Sequence, residues 1–264
     1  MANLQRSGRV PSAASSTQTN TAEAPAFGYA VALAQHQDEI RESQRLRYQV
    51  FAQEMGASLK SAADELDYDS FDEYCKHLIV RDKETGEVIA STRVLLDADA
   101  RRAGSFYSEA EFDMQPLIAR CGPLMEIGRT CVHPNYRRGA AIAVLWSGLG
   151  KFFDLREYSR MIGCASIPMQ DGGGEASAAY QWLVQHKLVI NSFGVMPRLP
   201  LPVLPSMPPA AMLPPLIKAY VRLGARICGT PCWDPDFNSA DLLVVLDPQE
   251  IRSRYARHFL QRAC

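Results

Sequence analysis

Long apolar runs, charge of one sign and paired cysteines are all missing from this 264-residue sequence, and each absence excludes a class of protein. No stretch of about 18 apolar residues occurs, so we expect no membrane-spanning helix. Residues 1–25 are polar and of low complexity, which predicts a disordered tail rather than a secretory signal. A formal net charge of −1 gives no overall field that would attract nucleic acid, so we expect no nucleic-acid partner.

The cysteines form neither a CxxC pair nor an even, closely set framework. This spacing disfavours a disulfide scaffold and a zinc site, so we expect no bound metal. Most of the seven thiols lie among apolar or small residues, as buried thiols in a reducing compartment do, which predicts a cytoplasmic protein. They are Cys75, Cys121, Cys131, Cys164, Cys228, Cys232 and Cys264.

Hydrophobic periodicity predicts an α/β (α+β) fold in which a mixed sheet has helices on both faces. The predicted strands cover 27–34, 77–81, 88–96, 124–132, 161–167 and 242–246, and the predicted helices cover 39–54, 142–153, 175–187, 216–223 and 252–260. An acidic turn is predicted at 64–72, whereas the polar connection at 97–122 shows no clear pattern.

The stretch EIGRTCVHPNYRRG, residues 126–139, is the most informative part of the chain. A strand ends there, a turn with Pro134 presents Arg137, Arg138 and Gly139, and an apolar helix begins. Free amides at a helix start and nearby arginines form a natural anion site, so we hypothesise a cradle for a phosphate-bearing group. The alternative is an ordinary strand-to-helix turn with two solvated arginines.

This arrangement resembles GNAT-type acyltransferases, in which a strand splays from its neighbour and a pantetheine arm lies in the gap. Their loop reads R/Q-x-x-G-x-G/A, whereas RRGAA at 137–141 lacks the second glycine. Fewer amides would then meet a coenzyme A pyrophosphate, which favours acyl carrier protein as the donor and partner. The resemblance implies no permanently bound cofactor, and an acyl-4′-phosphopantetheine co-substrate in contact with Cys131, Val132, Arg137, Arg138 and Gly139.

The order R-x-x-V-F, D-x-F-D, T-R-V, E-x-x-R is similar to that of the acyl-homoserine lactone synthases, a GNAT-related family. In that family these residues form ion pairs around the pocket for the amine substrate. The resemblance implies a substrate-binding set of Arg47, Phe51, Asp69, Asp72 and Arg93. A purely structural web of salt bridges is an alternative of nearly equal weight, and both hold together without conflict.

A resemblance to the bacterial L-ornithine N-alpha-acyltransferases covers most of the chain, from about 29 to 259. It is carried by FDEYCKHLIV at 71–80, the run at 126–149, GCAS at 163–166, LPPLIKAYVRLGA at 213–225, DPDFN at 234–238 and AD at 240–241. It implies transfer of a 3-hydroxyacyl chain to the α-amine of ornithine, giving lyso-ornithine lipid. It also implies a GNAT-like core at 26–190 with a largely antiparallel sheet, and a proline-rich extension at 191–264 that completes the domain and covers the acyl site.

Aminolysis of a thioester needs a base for the amine proton and donors for the oxyanion. Glu126 is the candidate base or relay, with an ion pair to a nearby arginine as the alternative. Arg129 and Thr130 complete the predicted catalytic set, and the amides near 130–132 would meet the oxyanion. We expect the sheet to open after Val132 and admit the thioester arm. Glu126 and Arg129 point to opposite faces of a regular strand, so a shared site requires a bulge. Cys131 lacks a histidine in catalytic spacing, which favours a packed thiol over a nucleophile.

Several functions remain open from the sequence. One is N-acylation of another amino acid such as glycine, lysine or glutamine, and another is homoserine lactone synthesis, which the distal runs disfavour. A non-enzymatic alternative is a haemolysin-like membrane-active protein or an acyl-carrier-binding protein. The proline-rich segment 197–215 would line an acyl tunnel, lie on a membrane or cap the core, and we expect peripheral contact with the inner membrane.

Overall fold

The computed structural model describes residues 22–23, 28–137, 140–202 and 213–251. Arg138 and Gly139, most of the proline-rich segment and the predicted helix at 252–260 therefore lie outside the described residues. Within the predicted tail, Ala22–Glu23 pairs with the first long strand of the sheet.

The described residues contain twelve strands and six α-helices. The strands are β1 Ala22–Glu23, β2 Tyr29–Leu33, β3 Lys76–Asp82, β4 Val88–Leu96, β5 Phe112–Asp113, β6 Leu124–Val132, β7 Arg160–Pro168, β8 Val189–Ile190, β9 Met196–Pro197, β10 Arg226–Cys228, β11 Cys232–Asp234 and β12 Ser239–Leu246. The helices are α1 Gln37–Tyr48, α2 Asp97–Ala103, α3 Gln115–Arg120, α4 Ala141–Phe152, α5 Gly174–Gln185 and α6 Pro215–Leu223.

Ten of the strands form one sheet in the order β1-β2-β3-β4-β6-β7-β12-β10-β8, with β11 paired to β12. Only the β6–β7 and β8–β10 pairs of the described sheet are parallel. The predicted fold class, a mixed and largely antiparallel sheet flanked by helices, is confirmed. The long pairing of β12 with β7 places the distal part of the chain inside the same sheet as the core strands.

The apolar helix predicted after residue 139 is α4, which packs on β2, β3 and β4. Its small residue Gly148 allows the close approach, because a Cβ there would lie 2.5 Å from a methyl carbon of Val31. On the opposite face, α1 packs on β4 and β6. No described helix combines the length and the apolar character that crossing a membrane would require.

The sequence left 97–122 unassigned, and the structure shows why. The segment holds α2, a 3₁₀ turn at Tyr107–Ala110, the two-residue β5 and α3. Pieces this short do not repeat an apolar period long enough to be recognised. The predicted helix at 39–54 is also divided, into α1 and a π-helical turn at Gln49–Glu54.

The parallel strands β6 and β7 pair over only three residues each and then separate. The last pair joins Glu126 to Ile162, whereas β7 stays paired with β12 as far as Pro168. At the point of separation a Cβ on Gly163 would lie 2.2 Å from the Ile127 carbonyl oxygen, so only glycine fits. The sequence predicts that the sheet opens after Val132. That position was wrong, because β6 bends away six residues earlier.

Candidate active site

A cavity of about 420 Å³ occupies the gap between the separated halves of β6 and β7. Its wall is mixed: one part is apolar, and the other carries arginine, glutamate and aspartate side chains. The cavity is lined by Val50, Phe51, Met55, Tyr107, Ser108, Glu111, the stretch 126–132, Arg137, Ile142, Cys164, Ser166, Pro215, Leu216, Ala219, Tyr220, Asp234, Phe237, Ser239 and Asp241. Elements from both ends of the chain therefore meet at this gap.

A β-bulge in β6 shapes the cavity. Ser91 of β4 pairs with Cys131 and Arg93 pairs with Gly128, so two residues of β6 face the single residue Thr92. One of them, Arg129, has a φ of 51°, a left-handed conformation that is uncommon for a residue with a side chain. Bulges bend a strand and redirect its side chains. The bulge brings Glu126 and Arg129 into the lining of one cavity, as a shared site requires.

Glu126 lies at the deep end of the cavity, where β6 and β7 part. Its carboxylate accepts hydrogen bonds from the Tyr107 amide at 2.7 Å, the Ser108 amide at 2.8 Å and the Ser108 hydroxyl. Burial raises the pKa of Glu126 above its usual value, although these donors oppose the shift. A carboxylate of raised pKa is better matched to accepting a proton near neutral pH.

Behind the cavity wall, buried arginines pair with aspartates. The Arg47 guanidinium donates to Asp67 at 2.8 Å and to Asp72 at 2.7 Å. Arg93 donates to Asp69 at 2.6 Å and to Asp72 at 2.9 Å. None of these five side chains is among the cavity-lining residues. Contact of Arg47, Asp69, Asp72 or Arg93 with a substrate stays a prediction, and what the structure gives these residues is an ion-pair web.

Arg129 connects this web to the cavity. It donates to Asp67 at 3.1 Å, and its guanidinium carbon lies 4.7 Å from the Tyr107 ring centre and 4.8 Å from that of Phe237. The predicted substrate-binding residue Phe51 packs edge-on against Phe237. The guanidinium is therefore fixed in the cavity wall between two rings and anchored by an aspartate.

Three of the five predicted pantetheine-binding residues line the cavity. Cys131, Val132 and Arg137 line it, while Arg138 and Gly139 are outside the described residues. The Arg137 guanidinium donates to Glu54 at 2.6 Å and to the Val132 carbonyl at 3.1 Å. Burial raises the pKa of Cys131 to about 12, which argues against a thiolate nucleophile. The remaining predicted catalytic residue, Thr130, bonds Thr92 through its hydroxyl.

A second, apolar cavity of about 50 Å³ lies beside the first, towards α4 and α6. Ile127, Cys164 and Tyr220 line both cavities and so mark their junction. The Tyr220 ring stacks on Trp146 with centres 5.3 Å apart, and its hydroxyl bonds Thr130. The rest of this wall is apolar and comes mostly from α4, α6, β7 and β12.

Two acids, Glu111 and Asp241, face each other across the polar part of the main cavity. Desolvation and the neighbouring carboxylate of Asp241 raise the pKa of Glu111 to about 9, and its carboxyl also contacts the Cys164 thiol. Asp241 accepts a hydrogen bond from the Ser239 hydroxyl at 2.8 Å. Two carboxyls this close hold a proton between them at neutral pH.

We expect the free energy of unfolding of a Glu111→Gln variant to fall less with rising pH than that of the wild type. A folded-state pKa raised from 4.5 to about 9 stabilises the fold at low pH, and that contribution is lost as pH rises through this range. Asp241, Asp234 and Cys164 face the same carboxyl and remain in the variant. The free energy of unfolding, measured by denaturant at several pH values, tests this. Parallel curves for wild type and variant would contradict it, and Glu84→Gln in an exposed loop is the control.

Several residues of the cavity wall and of the ion-pair web were not found from the sequence. Tyr107, Ser108 and Glu111 fall in the connection that shows no period, and Asp67 lies in the acidic turn without any mark of its own. Phe237 and Asp241 do belong to the distal runs DPDFN and AD, which carried the family resemblance but suggested no role. Membership in those runs was the signal in the sequence that could have identified Phe237 and Asp241.

Comparisons with known proteins place the chain in context. Residues 46–147 match the family described as Acetyltransferase (GNAT) domain. The L-ornithine N(alpha)-acyltransferase of Rhodobacter capsulatus is 33% identical over 253 residues, which cover 89% of this chain and 96% of that protein. The enzyme of the same name from Rhizobium meliloti is 35% identical over 245 residues, covering 86% and 82%.

Two solved structures share the fold. The AHL synthase LasI has a TM-score of 0.51 and 11% identity, covering 89% of this chain and 97% of its own. FeeM, an N-acyl amino acid synthase from uncultured soil microbes, has a TM-score of 0.51 and 10% identity, covering 85% and 95%. At such low identity these likenesses show the fold alone.

The parted strands, their cavity and the domain match define the protein as an acyltransferase of the GNAT type. The predicted enzyme class is confirmed. Since the curated relatives match most of the chain and most of their own length, the chain belongs to the L-ornithine N(alpha)-acyltransferase family.

Proposed function

We propose that this enzyme transfers a 3-hydroxyacyl group from the phosphopantetheine thioester of acyl carrier protein to the α-amine of L-ornithine. The observation that carries the proposal is the gap between β6 and β7, where one cavity joins a charged wall to an apolar pocket. The names of the family members supply the amino acid. Peripheral contact with a membrane stays a prediction.

The donor arm is proposed to lie along β6 where β7 has left it. Beyond Glu126 that edge of β6 no longer pairs with β7, so an extended pantetheine arm could bond its backbone as an added strand would. The phosphate would meet Arg137 at the cavity rim, in competition with Glu54. A single phosphate requires fewer donors than the pyrophosphate of coenzyme A, which favours the carrier protein.

The amine is proposed to enter on the charged side, with its carboxylate on Arg129. The α-nitrogen attacks the thioester carbon, and the backbone amides near 130–132 would meet the oxyanion. When the intermediate collapses, the amide bond is complete and the carbon–sulfur bond breaks. The proton that leaves the nitrogen ends on the departing sulfur, with Glu126 as its carrier. The products are N-acylornithine and carrier protein with a free thiol.

The central test uses purified enzyme, 3-hydroxypalmitoyl carrier protein and L-ornithine. We expect release of one free thiol for each N-acylornithine formed, followed by a thiol reagent and by mass spectrometry. Glycine, lysine and glutamine are assayed in parallel, with hexadecanoyl-coenzyme A as a second donor. An intact thioester after incubation would reject an enzymatic function with this donor, and preference for another amino acid would reject ornithine.

We expect Ile127→Phe to discriminate against long acyl donors. Ile127 lines both cavities, so a ring at this position would obstruct the passage of a long chain into the apolar pocket. Changes of this size in an apolar pocket alter kcat/KM by about tenfold or more. The measurement compares C16 with C4 carrier-protein thioesters. Ile118→Phe, which lines neither cavity, is the matched control, and an equal loss for both chain lengths would contradict the assigned path.

A further inference from the structure

The polar wall of the main cavity contains acids that the proposed transfer does not use. Glu111 and Asp241 both line the cavity, and with the Cys164 thiol their ligand atoms lie within 4.8 Å of one another. Asp241 is only 3% exposed. The Oε2 atom of Glu111 is buried and has no hydrogen-bond partner in the described part of the chain. A buried, unpartnered carboxyl oxygen beside an open cavity would be satisfied by a ligand that donates a hydrogen bond to it.

The aspartates of the ion-pair web differ from this pair in having arginine partners. Asp67, Asp69 and Asp72 each pair with a buried arginine. At Glu111 the largest charge effects come from two other acids, Asp241 and Asp234, which repel a second negative charge. Burying carboxyls without a cation is costly. A cation that arrives with the substrate would remove that cost, so the pair suits a positively charged ligand.

The position of the pair relative to Arg129 indicates which ligand this is. Tyr107, Arg129 and Glu111 line the same cavity. The Tyr107 phenol hydrogen-bonds Arg129, and the charge of Glu111 also acts on it, so both sites lie near this one side chain. An amino acid whose carboxylate is on Arg129 would extend its side chain towards Glu111. Glu126, the candidate base, lines the same cavity between these ends: the Ser108 hydroxyl that bonds it lies 3.3 Å from the Cys164 sulfur.

We propose that Glu111 and Asp241 bind the terminal ammonium of the acceptor's side chain and thereby restrict the acceptor to diamino acids. This inference rests on the proposed function. Because the two carboxyls share a proton, the pair carries one negative charge, which matches a single ammonium group. The Ser239 hydroxyl fixes Asp241, and the ammonium supplies the missing donor to Glu111 Oε2. A neutral side chain of equal length would leave that oxygen unpaired.

The test compares L-ornithine with L-norvaline, which has the same carbon chain without the ammonium. The variants are Glu111→Gln and Asp241→Asn, with Asp113→Asn, an exposed aspartate on β5, as the control. Loss of a hydrogen bond to a charged group alters binding by about 10- to 100-fold. We therefore expect the ratio of kcat/KM for ornithine to that for norvaline to fall about 30-fold in each cavity variant and to stay unchanged in the control.

The outcomes separate the inference from the proposed function. If the wild type acylates ornithine and the variants keep the wild-type ratio, the acid pair is not the ammonium site. If the wild type does not acylate ornithine, the proposed function itself fails. The wild-type enzyme by itself also tests the inference. Equal kcat/KM for ornithine and norvaline would overturn it even if the variants do not fold. Activity that is lost on chelation and restored by Zn²⁺ would show that the pair holds a metal instead.

Discussion

Replacing Glu126 by Gln is expected to lower kcat by about 100-fold or more, the usual contribution of a general base. The Gln side chain keeps the size and one acceptor oxygen of the carboxylate, so the amides of Tyr107 and Ser108 retain a partner. It has no site for the proton that leaves the amine. The rate of thiol release with saturating ornithine and acyl carrier protein measures the effect.

The KM for ornithine tests whether Glu126 acts as a base or only as a structural charge. We expect KM to change little, because the carboxylate and ammonium of the substrate are assigned to Arg129 and to the acid pair. The wild-type rate should also fall as pH drops through the raised pKa of Glu126, and this acidic limb should disappear in the variant. Glu84→Gln is the control. A variant with wild-type kcat would remove Glu126 from the mechanism.

Asp72→Asn is expected to lower the free energy of unfolding by about 3–5 kcal/mol, as breaking a buried ion pair from one side does. Arg47, with no exposed side-chain surface, and Arg93, 3% exposed, would both lose the carboxylate that they share. Burial by itself would raise the pKa of Asp72, but the two arginines hold it well below its usual range. Its stabilising effect is therefore present above the ordinary pKa of 3.8 and is lost as pH falls towards the folded value.

Denaturant unfolding at neutral and acidic pH checks this prediction. Arg101→Ala provides the contrast, because it breaks an i,i+4 pair with Asp97 in which the arginine is 78% exposed. An exposed pair contributes less than about 1 kcal/mol. If both variants lose equally little, the web does not stabilise the fold, and Asp72 would be free to serve the substrate as the sequence suggested.

The residues of the web show where motif order stops being informative. Seven predicted site residues come from the pattern R-x-x-V-F, D-x-F-D, T-R-V, E-x-x-R, yet of these seven only Phe51, Glu126 and Arg129 line the cavity. The other four face one another behind its wall. Motif spacing indicates that side chains interact with one another. Which of these side chains reaches the cavity depends on how the helices pack on the sheet.

The bulge at Arg129 is a similar case. Alternation along a strand separates Glu126 from Arg129, and nothing in TRV or EIGRT states that two residues of β6 will oppose Thr92 alone. β4 pairs with β6 on both sides of the bulge, whereas β7 pairs with β6 only as far as Glu126. The bulge and the opening, which lies after Glu126 rather than Val132, are therefore properties of the assembled sheet.

By itself the sequence determined the long strands and helices, the mixed sheet and the acyltransferase family, because apolar periods and long matching runs are local in the chain. Only the tertiary structure decided the active-site wall. Ser108, Glu111 and Cys164 come from an irregular connection and a central strand, and Asp241 comes from β12, so their proximity exists only after the sheet has closed around the gap. A cavity is defined by distances across the fold, and such distances have no counterpart in the spacing of residues along the chain.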